Sequence, residues 1–176
     1  MNWSTEDIKK WKALFAEKSG KKVRSEKAIY PLLASWIKSQ RSKSKVYFGG
    51  MQGPYLIDVV EMNEKEELTG YEVKMAHVGK KNSERSIQTT YIIQGIGQAL
   101  EYLCYGMDYS YLVAPEVMML KQHLTYMLEE MTPLGLVLFD RSFNFMEVLR
   151  AKKTQIYSQS VRKPLSSFTS GKASKN

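Results

Sequence analysis

The chain has 176 residues, 43% of them apolar and 25% charged, which suits one soluble globular domain with a core of its own. No stretch approaches the roughly twenty apolar residues of a membrane helix. The start, Met1 to Asp7, lacks the basic-then-apolar pattern of a secretory signal, and the lone Cys104 excludes an intramolecular disulfide; together they suit a reducing, cytoplasmic setting. The net charge of +8 is unevenly placed. Lys9 to Lys45 holds only Glu17 and Glu26 as acids, the chain from Arg150 onward holds none, and acids gather between Asp58 and Glu72. A basic body around a local carboxylate cluster suits a protein that attracts a polyanion and holds a cation against it. A basic surface kept for solubility is the plain alternative.

Residues 3–18 read as an amphipathic helix, with Ile8, Trp11, Leu14 and Phe15 on one face. Gly20-Lys21-Lys22 breaks it. A second helix is predicted from about Ser25 to Gln40, with Ile29, Leu32, Leu33, Trp36 and Ile37 as its buried stripe and Pro31 near its start. The period then changes. Val46 to Phe48 and Tyr55 to Met62 read as strands on either side of a Gly-rich turn, and Tyr71 to Ala76 as the next strand after a charged connection. His77 to Arg85 is a polar loop. The longest helical pattern follows at 87–106, with Ile92, Ile93, Ile96, Leu100 and Leu103 on its core face and Cys104 expected as a buried, inert thiol. A strand at 109–114, a helix at 116–130 stopped by Pro133, and strands at 134–139 and 145–149 complete the series. This order predicts an α/β fold, a central mixed sheet of about five strands flanked by helices. A single domain over 1–150, with residues 1–20 as an appended helix, is expected to end in a basic tail, 151–176, disordered from about Lys152.

Two carboxylates and a lysine carry the chemistry. In a strand, residues two apart share a face, so Glu72 and Lys74 project together while Val73 enters the core. A hairpin joining 55–62 to 71–76 can set Asp58 beside them. An Asp within Leu-Ile-Asp-Val-Val is costly unless paired or ligated. Two hard oxygen donors on neighbouring strands suit Mg²⁺, which keeps waters and substrate oxygens in its shell. The Lys74 ammonium can orient a water and oppose growing negative charge. Glu-x-Lys also occurs by chance as a solvated pair. His77 and His123 are too isolated for a zinc site, and Gly49-Gly50 and Gly95-x-Gly97 lack the ending of a phosphate loop.

The run Ile57-Asp58, then Tyr71-Glu72-Val73-Lys74, then a helix with Gln94 and Gln98-Ala99-Leu100-Glu101-Tyr102, resembles the PD-(D/E)xK nuclease superfamily over about residues 24–150. The likeness is nearest to archaeal-type Holliday junction resolvases and small restriction-like or viral nucleases. One departure is Ile57 where the motif has Pro. The resemblance implies a restriction-endonuclease-like core and a metal-dependent DNA endonuclease. Asp58 and Glu72 would bind Mg²⁺, with Mn²⁺ able to substitute. Glu26 on the first core helix would join them, Lys74 would be catalytic, and Gln98, with Gln94 the competing choice, would touch the lysine or DNA. Lys21, Lys22, Arg24, Lys27, Lys80, Lys81 and Arg85 are candidates for contacts to the DNA backbone. A homodimer is expected, since cutting two strands takes two sites. The alternatives are a DNA-binding protein that keeps the fold without the chemistry, and a nuclease subunit directed by a protein partner.

Overall fold

In the computed structural model, residues 26–48, 57–75, 89–116, 118–140 and 142–154 are described. The expected helix at 3–18, the Gly-rich turn and the polar loop of 77–85 lie outside them. Six strands run β1 (Lys45–Phe48), β2 (Val59–Met62), β3 (Leu68–Val73), β4 (Tyr109–Pro115), β5 (Gly135–Phe139) and β6 (Phe145–Leu149). Their order in the sheet is their order in the chain. Neighbours pair antiparallel except β3 with β4 and β4 with β5, which are parallel. The sheet is therefore mixed, with one strand more than expected. Helix α1 (Tyr30–Gln40) precedes it, α2 (Thr89–Cys104) crosses from β3 to β4, and α3 (Met118–Met131) crosses from β4 to β5. Among the described residues no helix is long and apolar enough to cross a membrane.

The alternation of side chains along each strand divides the core into two layers. Tyr71, Val73, Tyr111, Val113, Val137 and Phe139 face Ile29, Leu33 and Ile37 from the start and body of α1. Leu112, Ala114, Leu136 and Leu138 face Ile92, Ala99 and Leu103 of α2 and Leu124 and Leu128 of α3. Strands β4 and β5, covered on both sides, are thus apolar along Tyr111–Pro115 and Gly135–Phe139, as parallel strands under helices are. Each fully buried Leu or Ile contributes about 1.5–3 kcal/mol of transfer free energy.

Local chemistry sets the boundaries. A single 3₁₀ turn, Glu26–Ala28, comes before α1, whose N-cap is Ile29, so Pro31 falls in the first turn where its missing N–H has no partner to lose. Gly106 ends α2 with φ 99°, a left-handed conformation that residues with a Cβ resist. The Asn63 side chain accepts the amides of Lys65 and Glu67 in the β2–β3 turn.

Several expectations shift. Asp58 lies in a bend just before β2, not inside a strand, and β3 begins three residues early at Leu68 and ends at Val73. Ile93 is 62% exposed, while Ala99 and Tyr102 take its place on the buried face of α2. Cys104 is exposed, because it closes the last turn of α2 on the side away from the sheet. The supposed tail starts as a clamp. Ala151 is buried, the Lys152 amide donates to Pro133 O, the Lys153 ammonium reaches Glu67 at 2.5 Å, and the Thr154 amide donates to Asp108 O. The remainder of the tail lies outside the described residues.

Candidate metal and catalytic site

The site forms where β3 ends. Val59 pairs with Tyr71 in the β2–β3 register, so the preceding Asp58 comes opposite Glu72. The hydrogen bonds make this placement specific. Asp58 Oδ2 accepts the Val73 amide at 2.9 Å, Oδ1 accepts the Tyr30 hydroxyl, and the Asp58 amide donates to the Tyr102 hydroxyl oxygen at 3.4 Å. Tyr102 in turn donates its hydroxyl proton to Glu72 Oε2. Lys74 Nζ stands 2.5 Å from Glu72 Oε1. Helices on opposite faces of the sheet therefore each supply one tyrosine, and each tyrosine holds one carboxylate.

Glu72 and Lys74 are buried, at 2% and 8% exposure, and Asp58 is half-buried. Lys74 reaches this position because Gly95 leaves room for it. A Cβ on Gly95 would come within 2.6 Å of Lys74 Cγ and 2.9 Å of Leu112 Cδ1. The glycine that a motif search leaves unexplained is the floor under the lysine stem.

Burial and then the Asp58 charge push the Glu72 carboxyl up to about 7. Burial likewise raises Asp58, against the opposing pull of the Tyr30 hydroxyl, the Val73 amide and Lys74. Both tyrosine hydroxyls are held well above the usual phenol range, by burial first and by their carboxylate partners next, so they remain donors. Two acids share one ammonium here, and one of them favours a proton near neutrality. That donor set fits a hard divalent cation, whose charge would take the place of the proton; each carboxylate oxygen keeps a lone pair beside its present hydrogen bond.

The other expected residues are placed as follows. Among the described residues no group of three or more His, Cys, Asp or Glu forms a metal site, so the anticipated trio is a pair. Glu26 Oε1 accepts the Met75 amide at 3.2 Å and so fixes the backbone just past Lys74. Gln94 and Gln98 are exposed on α2, and among the described residues neither hydrogen-bonds to the cluster. Lys27 is exposed in the 3₁₀ turn. Lys21, Lys22, Arg24, Lys80, Lys81 and Arg85 lie outside the described residues. Sequence reasoning missed Tyr30, whose only signal was a polar tip on an otherwise apolar helix stripe four residues after Glu26. It named Tyr102 only as the end of a Gln-x-x-x-Tyr pattern.

No family model matches the chain, and no curated protein matches it. Among solved structures it is similar to SPO1766, a protein of unknown function from Silicibacter pomeroyi, at 16% identity over 74% of this chain and 73% of that one, with a TM-score of 0.49. It is similar also to SfsA of Pyrococcus furiosus, solved in complex with Ca²⁺, at 11% identity and a TM-score of 0.35. That second likeness covers 73% of this chain and 63% of the other.

Proposed function

We propose that the chain is a metal-dependent DNA endonuclease of the PD-(D/E)xK type, hydrolysing phosphodiester bonds with selectivity for DNA structure, branched or junction DNA included. One observation carries the reading: Asp58, Glu72 and Lys74 converge in a single buried cluster at the end of β3. Asp58 and Glu72 are the residues that would hold Mg²⁺ or Mn²⁺. When bound there, the cation supplies a water of lowered pKa and positive charge against the phosphoryl oxygens.

The chain's own residues do the rest. Tyr30 and the Val73 amide fix both oxygens of Asp58, and Tyr102 fixes Oε2 of Glu72, so neither carboxylate need reorganise as charge develops. Lys74, seated on Gly95 and tethered to Glu72 Oε1, presents an ammonium that orients the attacking water and opposes charge on the scissile phosphate. The water oxygen bonds to phosphorus, the bond from phosphorus to one sugar oxygen breaks, and that oxygen leaves with a proton. The +8 net charge draws the DNA in. A homodimer, working on DNA inside the cell, would place two such sites on one substrate, alone or with a protein partner for targeting.

The test is cleavage of labelled duplex, single-stranded, flap and four-way-junction DNA with Mg²⁺ or Mn²⁺, comparing the wild type with Asp58→Asn and Lys74→Ala. Metal-dependent cutting by the wild type and its loss in both variants supports the reading. Binding to these DNAs with no cutting under any metal moves the assignment to a non-catalytic DNA-binding protein.

A further inference from the structure

A second polar cluster lies across the sheet from the first, at the other end of α1. Arg41 follows that helix and donates to Glu61 Oε2 at 2.6 Å and to the Tyr71 hydroxyl oxygen at 3.1 Å. Its second nitrogen is a looser 3.5 Å from Glu147 on β6, and Glu147 Oε1 accepts the Tyr111 hydroxyl at 2.7 Å. Beside this cluster, between the last turns of α1 and β6, runs an open groove of about 710 Å³. That volume is in the range of sites that take one or two units of a small ligand.

The walls of the groove differ in character. Trp36 and Phe145, both half-buried with ring centres 5.8 Å apart, form an aromatic wall, and Met146 beside them is 47% exposed. Arg41 and Arg150 form the basic wall. Among the described residues no carboxylate pairs with Arg150. Glu147 is the acid of the groove, but it is already committed to Arg41 and Tyr111. The same two arginines border a smaller polar cavity of about 150 Å³, where Glu61 and Glu67 face them.

We infer that this groove binds an unpaired stretch of DNA, a base stacking on the Trp36–Phe145 wall while Arg150 takes its phosphate. An aromatic face beside an exposed guanidinium is the chemistry that holds single strands without reading their sequence. Apolar ligands would leave Arg150 unanswered, and a fully paired duplex cannot offer a base to the aromatic wall. The inference rests on the nuclease reading for its choice of polyanion. Such a site favours DNA in which paired and unpaired segments meet.

The experiment measures fluorescence anisotropy of a short labelled single-stranded oligodeoxynucleotide against the full chain in EDTA, with blunt-duplex cleavage in Mg²⁺ followed in parallel. Arg150→Glu, a change at an exposed side chain, is expected to weaken single-strand binding by about tenfold or more, the size of one lost nucleotide contact, and to lower blunt-duplex cleavage by a smaller factor. Trp36→Ala, checked by its thermal melt, is expected to do the same. Wild-type affinity in Arg150→Glu overturns the inference. So does a wild type that cuts duplex yet does not bind the oligonucleotide, and in that case the nuclease reading stands. Arg150-dependent binding without cutting under any metal keeps the groove and sinks the nuclease. A wild type that neither binds nor cuts removes both.

Discussion

The two polar clusters of this molecule have almost the same inventory and opposite characters. Each has two acids, one base and two tyrosines: Asp58, Glu72, Lys74, Tyr30 and Tyr102 at the end of β3, and Glu61, Glu147, Arg41, Tyr71 and Tyr111 across the sheet. In the second, the deeply buried Glu61 takes hydrogen bonds from Arg41, Ser44 and Tyr71, while Glu147 is partly exposed and water covers its share of charge. Charge there is balanced within the protein. In the first, Glu72 is withdrawn from water and Asp58 half withdrawn, and among the described residues the Lys74 ammonium alone is paired with them. What separates a structural knot from a candidate site is where the second acid sits, because a buried surplus of negative charge has to be met by a proton or a cation.

Exchanging one acid in each cluster for its amide breaks the comparison most directly. Glu72→Gln should lower metal-dependent cleavage by on the order of a hundredfold to a thousandfold, with a urea midpoint unchanged or raised, since it removes repulsion with Asp58. Glu61→Gln should do the reverse, costing about 2 kcal/mol of stability by leaving Arg41 a weaker partner, while the folded protein keeps cutting. If Glu61→Gln abolished cleavage in fully folded protein, the two clusters would be one functional unit.

Gly95→Ala sharpens the role of the lysine seat. With its new Cβ set against Lys74 and Leu112, it should cost about 1–3 kcal/mol as overpacking does and reduce cleavage by more than the stability loss explains. Gly97, one turn position on, has open space where a Cβ would be. Gly97→Ala should therefore change cleavage little and raise stability by about 0.5–1 kcal/mol through helix propensity. Thermal melts and turnover of the two variants, measured together, separate the seat from the helix.

A pH dependence tests the same surplus of charge. The Glu72 carboxyl is raised in the folded chain, from 4.5 to about 7. A raised group contributes stability that is full below 4.5 and is lost as pH climbs through about 7. The metal-free protein should accordingly melt at lower temperature as pH rises across that window. Mg²⁺ should raise the melting temperature more above the window than below it. A melting temperature independent of pH over this range would show Glu72 ionised throughout, with its surplus charge answered by the protein itself.

Much of the first cluster was legible in the sequence, for a reason that lies in the strand. A period of two puts Glu72 and Lys74 on one side by covalent geometry alone, and a hairpin of the observed length brings Asp58 alongside. The order of helices and strands likewise followed from hydrophobic period. Tyr30, the seating of Lys74 on Gly95 and the whole Arg41–Glu61–Glu147 cluster were not legible, because each joins residues on different elements and exists only after packing. Ile93 misled because an apolar residue next to a helical stripe carries the same signal as one within it. The small Ala99, and Tyr102 with its polar tip, carried a weaker signal and took the interior.

The sheet's strand order has a kinetic meaning. Each strand pairs with the one made just before it, so each pairing closes a short loop, or one bridged by a single helix, and the contact order is low for a sheet of six strands. All five residues of the Asp58–Glu72–Lys74 cluster with its two tyrosines lie between positions 30 and 102, ahead of β4, β5 and β6 in synthesis. The last of the described segments to be made is the 151–154 clamp, which reaches back to Glu67 and Asp108. A chain released early would hold the carboxylates and lysine yet lack this closing stitch, so the 151–154 segment joins the domain after its sheet is made.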